Sequence, residues 1–225
     1  MPAWSVAKSV LWFAVIVALL FWPAGTLRWP GAWIFLGEMA IGGVVVVGWL
    51  ARHDPELLRE RLASPFQREQ VSRDKLIIAG VIVGYYGWLA LMGLDAKRWG
   101  WSHMPDWLAV VGALLLALCY YVNWLVFREN SFAAPVVKLQ RERGHNVITT
   151  GPYAVVRHPM YAGGVLQFAG VPLLLGSWWG LAAAPLLVAV LAIRIGVEER
   201  MLRDNLPGYA AYAARVRWRL VPGLY

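Results

Sequence analysis

Six long apolar runs constrain this chain more than any other feature of its 225 residues. Four of them, at residues 4–22, 31–51, 76–94 and 107–127, each come close to the ~20 residues needed to cross ~30 Å of hydrocarbon. Two more, at 161–176 and 178–197, are separated only by Ser177. So short a break predicts a tight helical hairpin, with Trp178 and Trp179 at the far interface. The first run ends in bulky Phe21-Trp22-Pro23, a poor cleavage site, so it reads as a retained helix and not a signal peptide. The expected fold is all-α: a polytopic integral membrane helical bundle of about six spanning helices, ending in a helical hairpin and a cytoplasmic tail.

Composition agrees. Sixty per cent of the residues are apolar and fifteen per cent charged, against about a quarter charged in a soluble domain. The fourteen tryptophans and nine tyrosines suit aromatic belts at lipid headgroups. A net charge of +8 could suit nucleic acid, but the basic residues lie between apolar runs too long for soluble helices, so no nucleic-acid partner is expected. With the N-terminus placed in the cytoplasm, eighteen basic residues fall inside and three (Arg28, Lys97, Arg98) outside. The positive-inside rule therefore places both termini in the cytoplasm, which six crossings also require. This bias, with no targeting segment in view, favours a prokaryotic inner membrane as the lipid partner. The one cysteine, Cys119, lies in an apolar stretch and reads as a small buried residue. The four histidines show no zinc-site spacing, so no metal is expected.

Polar residues that could carry chemistry cluster on the inner side. Residues 52–75 read as a short charged helix capped by Asp54, with Pro55 at its first position. Residues 145–161, HNVITTGPYAVVRHPMY, crowd polar groups beside the fifth run. Pro159 suits the first turn of that helix, which sets His158 and Tyr161 near its N-terminus and Arg157 at the membrane surface. As a plain interfacial helix start, Arg157 would meet lipid phosphate and Tyr161 would join the aromatic belt. In the last run, Arg194 and Glu198 are four residues apart and share a helix face. A charge there costs about 2.5–3.5 kcal/mol, so Arg194 is paired or functional. A simple Arg194–Glu198 pair would account for both; alternatively the arginine suits an anionic substrate and the carboxylate a cationic cofactor or a ribose hydroxyl. Glu38, within the second run, is expected at a cavity or a partner helix, and Asn123 in an interhelical hydrogen bond. Phosphate-loop, dinucleotide-binding and serine-nucleophile patterns are all missing from the sequence.

The run GHNVITTGPYAVVRHPMYAGG, followed in order by RIGVEERML, YAAY and RLVP, resembles the isoprenylcysteine carboxyl methyltransferase and phospholipid methyltransferase superfamily. The resemblance covers roughly residues 130–225 and divides the chain into an N-terminal four-helix membrane region, 1–128, and a methyltransferase-like region, 129–225. It implies a membrane-embedded methyltransferase that uses S-adenosylmethionine without a Rossmann domain. Carried over by position, His145, Asn146, Val147, Ile148, Tyr153, His158, Pro159, Met160 and Tyr161 would line the cofactor pocket. Glu198 would contact the cofactor and Arg194 would orient the methyl acceptor, expected to be lipophilic or a small apolar molecule. A carboxylate acceptor would attack unaided; a thiol or amine would need a base, for which His158 and Glu198 are the nearby candidates. Two other readings stand beside this one. One is a membrane reductase using NADPH, as in sterol reductases; the other is a non-catalytic membrane partner protein.

Overall fold

The structure is a computed structural model that describes residues 3–225, with side chains described from residue 7 onward. Eight α-helices follow in order: α1 (Ala3–Ala24), α2 (Pro30–His53), α3 (Pro55–Leu62), α4 (Ser72–Gly93), α5 (Asp106–Glu129), α6 (Pro159–Leu175), α7 (Trp178–Asn205) and α8 (Tyr209–Arg215). Among the described residues there is no strand. Helices α1, α2, α4, α5 and α7 are long and apolar enough to cross a membrane, and α6 is a shorter apolar helix of 17 residues. The chain is thus a polytopic helical bundle with each of these six helices where an apolar run predicts it.

Local chemistry sets the boundaries. Prolines open α2, α3 and α6, where a missing N–H costs no helical bond. Gly176, at φ +75°, closes α6, and the Ser177 side chain then accepts the Gly180 N–H at 2.9 Å to cap α7. Two short-range signals thereby make the hairpin. The charged helix expected over 52–75 is corrected: Asp54 caps it as expected, accepting from Leu57 N–H at 2.9 Å, but it ends at Leu62. Ala63 is already extended at ψ 170°, and Pro65 two residues on cannot continue a helix. A separate helix begins at Ser72, so Asp74 and Lys75 belong to the first turns of the spanning helix α4.

The core is built where α1, α4, α5, α6 and α7 meet around Leu20, Leu89, Met92, Leu116, Val171 and Leu175. The most extensive helix contact is between α5 and α6. A Cβ on Gly112 would collide with the Leu174 backbone, and one on Gly170 would lie 2.9 Å from the Gly112 carbonyl oxygen. Van der Waals packing between helices in lipid depends on such small residues.

The two ends of the bundle differ. At the far end, buried Asp95 accepts from Ser177 Oγ at 2.5 Å and Ser102 Oγ at 2.6 Å. Trp29 and Arg98 bind the carbonyls of Leu175 and Pro23 there. At the opposite end, α3 braces the long 130–158 connection through Lys138–Glu60 at 2.7 Å, Arg143–Glu56 at 3.2 Å and Arg61 Nη1 to Ala133 O at 2.9 Å. A cleft opens beside this braced segment.

Candidate active site

The cleft encloses about 890 Å³, its open mouth included. One wall is the 132–138 stretch after α5, and another is the 145–148 turn with Tyr153. The first turn of α6, a face of α7 and the short α8 complete it. All eleven residues singled out from the sequence border it: the 145–148 tetrapeptide, Tyr153, His158 through Tyr161, Arg194 and Glu198. Segments as far apart as Phe132 and Tyr212 meet here because α6 and α7 fold back on each other and the tail returns beneath them.

Arg194 and Glu198 do not pair with each other. Arg194 instead donates Nε to Asp74 Oδ1 at 2.8 Å and Nη2 to Pro135 O at 2.6 Å. The Tyr161 ring lies 5.6 Å from its guanidinium carbon. Glu198 accepts the Tyr161 hydroxyl at 2.6 Å and makes no ion pair among the described residues. Arg194 acts on it only at longer range; a carboxylate with a phenolic donor and no close ion pair among the described residues, facing a cleft, suits a positively charged ligand or a pair of hydroxyls.

The neighbouring carboxylate behaves differently. Glu199, one residue on, points away from the cleft and is 3% exposed. It accepts from Arg157 Nε at 2.6 Å, His158 Nε2 at 3.2 Å and Arg219 Nε at 3.2 Å. Arg157 is therefore not at lipid phosphate. It is buried, and its Nη1 donates to the carbonyls of Val216 and Arg217 at 2.7 Å. Backbone N–H groups of Arg157 and His158 donate to Trp218 O and Arg219 O at 2.9 Å. These bonds strap the tail across the entrance of α6. With Nε2 committed to Glu199, any proton that His158 accepts goes to Nδ1. Its ring stacks on Tyr161, with centroids 5.6 Å apart.

Aromatic residues supply most of the remaining surface. Tyr153 accepts Asn130 Nδ2 at its hydroxyl, 2.7 Å, and the Tyr212 hydroxyl at its carbonyl, 2.8 Å. Burial raises both phenols, Tyr212 up to about 12, so both are neutral donors near neutral pH. Tyr209 is buried in the same wall, and its hydroxyl has no hydrogen-bond partner among the described residues. His145 stacks on Phe132 at 4.5 Å and accepts the Gln140 N–H at Nδ1, 3.4 Å. Burial is the main cause that holds the His145 imidazole below its ordinary value of 6.5; Glu198 opposes this and Arg143 adds to it.

The sequence reading did not include Asp74, Glu199, Tyr209 or the 132–138 wall. Only Glu199 carried a local signal, as the second carboxylate of an EE pair whose members project about 100° apart on a helix. Glu38 lies elsewhere, in an apolar groove between α2 and α5 with Tyr120 and Trp124, as expected for a cavity-facing carboxylate. Asn123 donates to Cys119 O within its own helix, not across helices.

Helices enclosing an aromatic, charge-bearing cleft at one end of an apolar bundle define a polytopic membrane protein with a polar cleft at that end. Comparison with known proteins sharpens this. The phospholipid methyltransferase family model matches residues 107–207, from the start of α5 to just past α7. The chain is 32% identical over 83 residues to protein-S-isoprenylcysteine O-methyltransferase B of Arabidopsis thaliana, a stretch that is 36% of this chain and 42% of the relative. The chain thus matches less than half the length of that relative. Residues 107–207 carry the pattern of the isoprenylcysteine carboxyl methyltransferase and phospholipid methyltransferase superfamily, and the match begins one helix earlier than the motifs alone suggest.

Proposed function

We propose that the protein is an integral membrane methyltransferase that binds S-adenosylmethionine in this cleft and methylates a lipophilic or small apolar acceptor. The observation that carries the reading is Glu198, a carboxylate at the cleft with a tyrosine donor and no close ion pair among the described residues. The residues present suit the cofactor on three counts. Glu198 complements positive charge or ribose hydroxyls, the neutral tyrosines offer flat apolar faces with polar tips, and the unpartnered Tyr209 hydroxyl is a spare donor. When bound, S-adenosylmethionine supplies an electrophilic methyl on a sulfonium.

The chain's own residues then have separable tasks. His145 through Ile148, Tyr153 and Met160 form the walls, and Pro159 fixes the start of α6 so that His158 and Tyr161 are presented together. Tyr161 holds Glu198 in one orientation through its 2.6 Å bond. Arg194, four residues from Glu198 and bordering the cleft, has Nε and Nη2 engaged and keeps Nη1 for the acceptor. A carboxylate acceptor needs only that guanidinium; for a thiol or amine, His158 Nδ1 is the available base. α8 and the strapped tail exclude water, which strengthens these electrostatic contacts. Alignment of nucleophile and methyl is the main work asked of the protein. The family match favours this reading over an NADPH reductase.

The cleft end carries most of the basic residues, which by the positive-inside rule makes it cytoplasmic, in a prokaryotic inner membrane, with both termini inside. That is the side on which S-adenosylmethionine is made. Equilibrium binding of labelled S-adenosylmethionine to the purified protein tests the proposal. Saturable binding should weaken at least about tenfold in Glu198→Gln through loss of a charge-assisted contact. Absence of saturable binding to the wild type rejects it.

A further inference from the structure

Arg194 is held on two of its three nitrogens. Nε donates to Asp74 Oδ1 at 2.8 Å, and Nη2 donates to Pro135 O at 2.6 Å and, weakly, to Asp74 Oδ2 at 3.5 Å. Nη1 makes no hydrogen bond among the described residues, although a guanidinium has five donors. Arg194 borders the cleft, and the Tyr161 ring limits how the guanidinium can tilt.

Asp74 is itself fixed. It is fully buried, and its Oδ2 accepts from Gln70 Nε2 at 2.7 Å and Val137 N–H at 2.9 Å. Val71 N–H donates to Val137 O at 3.0 Å. The carboxylate therefore cannot swing with the arginine; it anchors both the arginine and the 132–138 wall to the first turns of α4. Stability alone does not explain this pair, since a buried ion pair is commonly no better than an apolar pair of similar volume. A spanning helix gains nothing from carrying it unless the arginine is needed where it stands.

We propose that Asp74 is the positioning residue for Arg194: it locks the guanidinium so that Nη1 alone is offered to the methyl acceptor. The acceptor end of the site is thereby set from α4. Asp74 lies outside the 107–207 match, so a residue from the N-terminal half, where no motif was recognised, completes the site. The inference rests on the reading of the cleft as a methyl-transfer site, and its test separates the two.

The first arm needs no acceptor. In wild-type protein labelled with 15N at arginine Nε, the Arg194 Nε–H should exchange slowly with water, and Asp74→Asn should speed that exchange by about tenfold or more. Arg194→Lys identifies the signal. The second arm uses labelled S-adenosylmethionine and the probe acceptor S-farnesyl-N-acetylcysteine, which matches the relative's named chemistry. Asp74→Asn should lower acceptor kcat/KM by about 10- to 100-fold while leaving S-adenosylmethionine affinity within about twofold, with Asp74→Glu between. In an Arg194→Lys background, Asp74→Asn should add little further loss. Fast Nε–H exchange in the wild type, or an equal loss in both backgrounds, overturns the inference. If the wild type binds no S-adenosylmethionine and methylates no probe, the proposed function fails, and the exchange arm alone still decides the role of Asp74.

Discussion

Two adjacent carboxylates show how one helix turn separates chemistry from support. Glu198 meets a phenol and the cleft; Glu199 meets Arg157, His158 and Arg219 and is buried. Substituting Glu199→Ala would leave Arg157 buried with carbonyl partners alone, and removing one partner of a buried pair costs about 3–5 kcal/mol. Thermal unfolding in detergent should show that loss, with faster proteolysis of residues 206–219; an unchanged melting temperature would contradict the arrangement. His145 makes a pH prediction. Its folded-state pKa is lowered, mainly by burial, so on acidification the unfolded chain takes up the proton first. This contribution to stability is complete above the ordinary 6.5 and is lost as pH falls below it. Melting temperature followed from about pH 8 to about pH 5 should fall less steeply in His145→Gln than in wild type. The same residues show what single-chain reading can recover. The family resemblance put His158 through Tyr161 and Glu198 at one pocket, and all five border the cleft. The partner of Arg194 was not legible, because Asp74 lies 120 positions away and i,i+4 spacing offered Glu198 first. Nothing in a one-dimensional pattern ranks a near neighbour against a distant one that the fold delivers.

Among the elements, spanning helices were the most legible, because hydrocarbon thickness demands a length that apolar runs display directly. α3 and α8 were harder. Each is eight residues or fewer, too short for its own stability, and each exists through the contacts it makes. The α5–α6 pair carries a prediction of its own. Gly170→Val would push a branched side chain against Gly112 O and the Leu115 and Leu116 side chains. Overpacking of this kind costs about 1–3 kcal/mol. Because α6 carries His158 through Tyr161 at its start, a shift of its axis should weaken S-adenosylmethionine binding although residue 170 lies far from the cleft. Parallel measurement of melting temperature and cofactor affinity checks both halves of that statement; a loss of stability with affinity intact would show that α6 is not a rigid arm.

For the whole molecule, the asymmetry of its ends supports the proposed orientation. The three basic residues assigned outside, Arg28, Lys97 and Arg98, flank the far-end turns, while the charged loops gather around the cleft. A green fluorescent protein fused to the C-terminus should fluoresce, and alkaline phosphatase fused there should be inactive; the reverse pattern would turn the cleft outward and away from cytosolic cofactor. The strapped tail also bears on synthesis. Leu206, Tyr209 and Tyr212 line one side of the cleft and leave the ribosome after every described spanning helix. During translation the bundle therefore inserts before that wall is made. On the proposed function, competence to bind S-adenosylmethionine awaits the contact between the Arg157 guanidinium and the carbonyls of Val216 and Arg217.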